Sequence, residues 1–494
     1  MLRNKLIDSY LAYNKKFGKL NFDATLGRSY QIFNEERTYY ADLRRNPAGA
    51  IPQAVTPRPQ PDNVLIGYFA RTNFNYNDKY LFTASVRRDG SSRLPSVNRW
   101  KNYPAFAFAW KMKEDFFKDS KVVSDLKLRL GYGITGNQGL ESKYNQITFQ
   151  QYSTGVSNGS SQYGFGSGFF PISLSTKYND NLKWETQTTY NVGVDYGFFN
   201  NRITGTLDVF YKKTDNLFNV APIPDGGNFS NFLLQNVGSF TNKGVELGIN
   251  FEAVKSNNFK WNINFNATKF ERRISSLAND SDIFLGSAPG TGGTSQIHRV
   301  GYTPASFYVY KQLYDTAGKP IEGAFADLNG DGIVNDKDRY IYKNPDPDFV
   351  FGFASTMNYK NLDFSFNLRA SVGNRIYNQV NAGNAEYNNL QAGTAAGNIP
   401  TSVENTNFNN LSNQIGQSDI YIENGSYLRM DNITLGYTFP KWLEGKASLR
   451  MFTGVQNAFI ITKYSGLDPE VTGGIDNTIY PRQRQLLFGA NVKF

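Results

Sequence analysis

Residues 362–372 read Leu-Asp-Phe-Ser-Phe-Asn-Leu-Arg-Ala-Ser-Val. Leu362, Phe364, Phe366, Leu368, Ala370 and Val372 fall on one parity, and Asp363, Ser365, Asn367, Arg369 and Ser371 on the other. Successive side chains of an extended chain point to opposite faces, so this stretch is a strand with one apolar and one polar face. The scheme recurs at 259–268, where Phe259, Trp261, Ile263, Phe265 and Ala267 oppose Lys260, Asn262, Asn264, Asn266 and Thr268. At 126–135, Leu126, Leu128, Leu130, Tyr132 and Ile134 oppose Lys127, Arg129, Gly131, Gly133 and Thr135. At 105–110, Phe106, Phe108 and Trp110 alternate with alanines.

These segments commonly run to ten residues or more. A soluble strand averages about 5–6 residues, whereas a tilted strand crossing a bilayer needs about 9–11. A large soluble sandwich or propeller is the alternative, but it would use shorter strands and more uniform connections. The 494 residues include 39 Phe, 31 Tyr and 45 Gly, yet only 40% are hydrophobic. No run approaches the roughly 18 apolar residues of a spanning helix. A chain so aromatic and so polar suits an all-β transmembrane antiparallel barrel, with alternate residues facing lipid and water.

Strands are expected at 6–13, 20–29, 64–76, 80–88, 103–111, 125–135, 182–198, 202–213, 241–253, 259–272, 349–359, 361–372, 427–439, 446–457 and 482–494. Their connections alternate between short and long, as periplasmic turns and extracellular loops do. The longest is 273–348; it includes the apolar stretch 305–313, assigned to the extracellular loop because a spanning strand there would reverse the alternation. The count of fifteen is odd, whereas bacterial single-chain barrels have an even number. The reading therefore expects a partial barrel, with about seven further strands upstream making roughly 22, the size of plugged transporters. The opening Met-Leu-Arg-Asn-Lys also lacks a signal peptide's charged, apolar and small-residue regions, so a processed or trimmed sequence is expected. At the other end Leu486, Phe488, Ala490, Val492 and Phe494 form a terminal amphipathic strand ending on an aromatic. It looks like the segment read by the outer-membrane insertion machinery.

With no Cys there is neither a disulfide framework nor a thiolate metal site. The formal charge of +10 is scattered along strands and loops, with no basic helix or run, which argues against a nucleic-acid partner and for lumen lining and lipid head groups. Enzyme signals are poor. The single histidine, His298, sits in a Gly/Ser/Thr-rich loop, and Gly155-Val156-Ser157-Asn158-Gly159 lacks the strand–elbow–helix setting of a nucleophile. One metal signal stands out: residues 327–338 read Asp-Leu-Asn-Gly-Asp-Gly-Ile-Val-Asn-Asp-Lys-Asp. Oxygen donors at loop positions 1, 3, 5, 9 and 12, with Gly332 at position 6, match a Ca²⁺ loop. Asp327, Asn329, Asp331 and Asp338 are expected to ligate by side chain, Ile333 by its carbonyl, and Asn335 directly or through water. Position 12 is Asp instead of Glu, and the expected role is structural. Tyr144, Phe149, Tyr152, Tyr163, Phe165, Phe169 and Phe170 could stack sugars, but packing of a long loop is the favoured reading.

Several segments resemble the SusC/RagA family of TonB-linked outer-membrane proteins, typical of Bacteroidota. They are Arg88-Asp89-Gly90-Ser91-Ser92-Arg93 followed by Asn98-Arg99-Trp100 and Tyr103-Pro104; Leu126-Lys127-Leu128-Arg129 with Tyr132-Gly133 and Gly136-Asn137-Gln138; and Leu182-Lys183-Trp184-Glu185-Thr186 with Asn191-Val192-Gly193 and Asp195. Tyr427-Leu428-Arg429, Leu435-Gly436-Tyr437, Gln456-Asn457 and Tyr464-Ser465-Gly466-Leu467-Asp468-Pro469-Glu470 complete the set. The resemblance implies a 22-strand barrel importing oligosaccharide or peptide fragments, capped by a SusD-like surface lipoprotein and energised through TonB. Neither a TonB box nor a plug domain is visible within residues 1–494, so coupling is expected to belong to a longer protein. A passive porin and a surface adhesin remain the alternatives.

Overall fold

The structure is a computed structural model. It describes residues 2–37, 58–59, 63–138, 152–153, 162–165, 168–171, 174–175, 179, 181–222, 232–277, 280–289, 291–390, 397–409, 415–478 and 480–494. Fifteen strands follow one another through one large sheet in sequence order. They are β1 (Leu2–Phe17), β2 (Leu20–Arg37), β3 (Asn63–Tyr76), β4 (Tyr80–Ser91), β5 (Trp100–Lys111), β6 (Val123–Asn137), β7 (Glu185–Phe198) and β8 (Ile203–Asp215). There follow β9 (Gly238–Lys255), β10 (Phe259–Leu277), β11 (Phe349–Tyr359), β12 (Leu362–Val372), β13 (Tyr427–Trp442), β14 (Ala447–Thr462) and β15 (Gln485–Lys493). Each coincides with a segment read from the alternation. Several run further: β1 pairs with β2 from Leu2↔Glu35 to Phe17↔Leu20. The flanking Arg3, Asn4, Lys15 and Lys16 hide those ends from an alternation count. No helix among the described residues is long and apolar enough to cross a membrane.

Two of the short turns use residues suited to them. Gly18 at φ +59 turns β1 into β2, and Asn77 and Asp78, both left-handed, turn β3 into β4. Hairpin turns need positive φ, which Gly, Asn and Asp adopt at least cost.

The chain divides into two compact units, one made of 1–111, 129–192 and 212–240, the other of 112–128, 193–211 and 241–494. In the first unit the apolar face carries cross-strand rings, with Phe22 5.0 Å from Phe74 and Phe106 6.2 Å from Tyr132. The opposite face is polar: Asn73 donates to Asp23 (2.5 Å) and Thr83 to Asn73 (2.8 Å). A small core of Leu94, Tyr103, Leu182 and Trp184 holds the Arg88–Pro104 and Leu182–Thr186 segments together, and the Trp184 indole donates to the Arg99 carbonyl at 2.9 Å. This corrects the expected start of the 182–198 strand, which begins at Glu185 because Leu182 and Trp184 are drawn into that core.

In the second unit Phe265 lies 6.2 Å from Phe351, and Phe353 lies 5.9 Å from Phe366, along the apolar face. On the polar face Arg450 of β14 reaches across β13 to Asp363 of β12 (2.9 Å). The side chain crosses at Gly436, where a Cβ would come 2.4 Å from the guanidinium. Glycine leaves room for that crossing, and a Cβ would push the guanidinium aside.

Candidate functional site

Three long connections of the second unit, 278–348, 373–426 and 463–484, build a module beside the sheet. Its core joins Phe307, Val309, Tyr310 and Phe325 from the first connection to Tyr377, Phe408, Ile415 and Tyr421 from the second, with Ile475 of the third packed against them. Ser306–Val309, inside the apolar stretch 305–313, pairs with Thr294–His298 and with Tyr340–Ile341, off the main sheet. Arg375–Asn378 pairs with Ile422–Asn424 and, in parallel, with Ile475–Asp476, which ties the third connection in.

The aspartate loop closes on its own backbone. Asp327 accepts N–H bonds from Gly330 (2.7 Å) and Gly332 (2.8 Å), and Asn329 accepts from Asp331 (2.8 Å). Gly330 and Gly332 adopt φ +73 and +81, so the turn at position 6 is as sharp as the spacing predicts. Asp331 accepts from Ile333 N (2.9 Å), and the Asn335 amide donates to the Ile333 carbonyl (3.1 Å). Asp338, with no exposed surface, accepts from the backbone of Asn335, Leu328 and Asn329. Those N–H bonds, the Asn335 one foremost, hold its carboxyl below the usual range. All six expected positions thus lie on one closed loop. Among the described residues no three acidic or imidazole side chains converge as a metal cluster, so a cation here would rest on mixed carboxylate, amide and carbonyl oxygens.

The loop is anchored to the module by its neighbour. Arg339 is buried, donates to the Tyr308 carbonyl at 2.7 and 3.2 Å, also bonds the Thr294 carbonyl, and lies 4.5 Å from the Tyr308 ring. Tyr310 donates to Asp336 (2.9 Å), and Tyr340 donates to Asp419 (2.7 Å). Burial, then these carboxylates, pushes both phenols up. The His298 Nδ1 accepts the Ala305 N–H at 2.9 Å.

A charged network, which the sequence reading left without a role, joins the third connection to the sheet. Arg429 is buried and donates to Asp468 and to Asn457, both at 2.6 Å. Arg369 pairs with Asp431 (2.6 Å) and with Glu470, while Arg482 reaches Glu470 (2.7 Å) and Asp468 (3.1 Å). The β12–β13 and β13–β14 registers both shift at Asp431, and such irregularities re-aim side chains. Spacing could not disclose this, although Arg429 and Asp468–Glu470 lie in two of the family-like segments.

The Tyr144 and Phe149 expectations and the Gly155–Gly159 string lie outside the described residues, as do the side chains of Tyr152, Tyr163, Phe165, Phe169 and Phe170.

Residues 3–458 match the family model described as TonB dependent receptor-like, beta-barrel. The chain belongs to that family. It is 41% identical to the TonB-dependent receptor SusC of Bacteroides thetaiotaomicron over 98% of this chain and 49% of the relative. It is 34% identical to the TonB-dependent receptor P3 of Formosa agariphila over 99% of this chain and 52% of that one. The RagAB peptide transporter superposes at a TM-score of 0.78 and 22% identity over 99% of this chain and 55% of that chain, which is a likeness of fold. The chain spans about half the length of the curated relatives it matches. Membership places it in the outer membrane as barrel strands.

Proposed function

We propose that this TonB-dependent receptor-like chain supplies strands and surface loops to an energised importer of oligosaccharide or peptide fragments. In this reading it works with a SusD-like surface lipoprotein and draws energy through TonB, in a bacterium of the Bacteroidota. The 41% identity to SusC, sustained over 98% of the chain, carries the reading. Deleting the intact gene is expected to abolish uptake of one class of fragments. Restoring it is expected to rescue uptake only while the proton gradient is maintained. Uptake that survives a protonophore would replace the importer by a passive channel. Tight fragment binding at the cell surface without uptake would replace it by an adhesin.

We also infer that residues 327–338 hold a structural Ca²⁺. In support are the order of the oxygen donors and the left-handed Gly330 and Gly332 that shape the turn. With Asp338 already accepting backbone N–H bonds, affinity is expected on the order of 10⁻⁴–10⁻³ M, the range of extracellular modules. Calcium should slow proteolysis between Phe325 and Tyr340 in the wild type but not in Asp327→Asn/Asp331→Asn. Equal cleavage with calcium and with chelator would remove the ion from the account.

A further inference from the structure

On β10 the apolar face is Phe259, Trp261, Ile263, Phe265 and Ala267, and it ends abruptly. The next residues of that parity are Lys269, Glu271 and Arg273. Pairing with β11 also stops here, at Thr268↔Val350, so the last turns of β10 stand beside the segment that leads into Phe349. Lys269 places its ammonium 5.2 Å from the Phe349 ring, at the edge of the aromatic rows. Lys243, of the same parity as Val245, Leu247 and Ile249 on β9, pairs with Glu271 at 3.2 Å, and Arg273 pairs with Glu271 from the other side. These cations therefore form a rim on the lipid face, on the side of the long connections, which in an outer-membrane barrel is the cell surface.

The rim opens into a cleft of about 670 Å³ whose wall includes Lys269, Arg273, Tyr302, Tyr342 and Lys343. Tyr302 and Tyr342 are 46% and 37% exposed, two amphipathic rings at the level where membrane proteins place them. Five cations, Lys243, Lys269, Arg272, Arg273 and Lys343, meet three carboxylates, Glu271, Asp346 and Asp348. Arg272 is taken up by Asp346 (2.7 Å), and Glu271 is shared by Lys243 and Arg273. Among the described residues Lys269 and Lys343 have no carboxylate within ion-pair distance; each lies instead near a ring. A rim with surplus positive charge, aromatic side chains and an open cleft, continuous with the lipid face, fits an anion carried by a lipid better than one in free solution.

We propose that this cleft binds the phosphomonoester of an anionic glycolipid headgroup in the outer leaflet. Lys269 and Lys343 contact the phosphate, Arg273 steers it, and Tyr302 and Tyr342 flank the sugar. The proposal rests on the outer-membrane location alone and is independent of what the barrel imports.

The test uses the intact gene product purified in detergent and titrated with monophosphorylated lipid A or its dephosphorylated counterpart, read by native mass spectrometry. The phosphorylated lipid should bind at least about tenfold more tightly, and inorganic phosphate at the same concentration should not displace it. Each cation near an anionic surface is expected to contribute about fivefold. Lys269→Gln/Lys343→Gln should therefore bind about 25-fold more weakly, while Lys255→Gln at the opposite rim binds as the wild type. Equal affinity for the two lipids, or full affinity in the double variant, would overturn the assignment. Displacement by inorganic phosphate would overturn the lipid and leave a site for a soluble ion.

Discussion

The sheet and the loop module dispose of their aromatic side chains in opposite ways. On β15 Leu486 and Phe488 are 68% and 81% exposed, whereas Phe307 and Tyr310 in the module are wholly buried. The strands satisfy their backbone groups by pairing, so they can turn an apolar face outward and leave lipid to cover it. The module has no lipid against its interior and must bring its own apolar surface together from three separate connections. One amino-acid vocabulary thus serves two solvents. A strand's face must be uniform over the span that lipid covers, which fixes a period of two. A core assembled from distant segments imposes no period at all.

The largest expected effect tests the module. Phe307→Ala removes a fully buried ring and should destabilise the module by about 3–5 kcal/mol. Protease cuts are expected in 278–348 while strand content by circular dichroism stays intact. Loss of strand signal together with the module would show one cooperative unit and break the contrast.

A smaller effect tests the sheet. Phe366, ringed by Phe353 and Phe364, lies on the apolar face at mid-strand, and its neighbour Asn367 lies on the polar face, bonded to Asn432 (3.1 Å). Phe366→Lys should cost about 2–4 kcal/mol in lipid, and Asn367→Lys much less. Folding titrations in vesicles measure both. Equal penalties would mean that the two faces see the same medium, against the barrel reading.

The fifteen strands were legible because alternation is a local property: residues 362–372 alone show which side chains share a face. What escaped was whatever depends on residues far apart in sequence. Trp184 looked like the start of a strand, yet its indole is fixed by Arg99. Gly436 stood out only as a family-like residue until Arg450 and Asp363 were seen to meet across it. Arg429 gave no sign that Asp468 would neutralise it. The aspartate loop lies between these cases. Its spacing suggested six donor positions, but not that Asp338 spends its oxygens on the loop's own N–H groups, nor that Arg339 fastens the loop to Tyr308.

The smallest effect concerns His298, where the module depends on one neutral ring. Its Nδ1 accepts the N–H of Ala305, which holds a left-handed φ of +58 without being glycine. A protonated imidazole has only donors, so charging it removes this bond and adds a positive charge near Arg272. Burial first, and Arg272 second, accordingly hold the His298 pKa below its ordinary value of 6.5. A base whose pKa is depressed by folding contributes stability that is complete above the unfolded pKa and fades as pH falls below it. The wild-type module should thus lose stability from about pH 7 downward more steeply than His298→Gln, whose amide oxygen can still accept from Ala305. Carboxylates titrate alike in both proteins, so the difference between the two proteolysis–pH curves isolates the ring. Curves that run parallel from pH 7.5 to about 5.5 would show that His298 is a spectator, and that this corner of the module is held by packing as the rest of its core is.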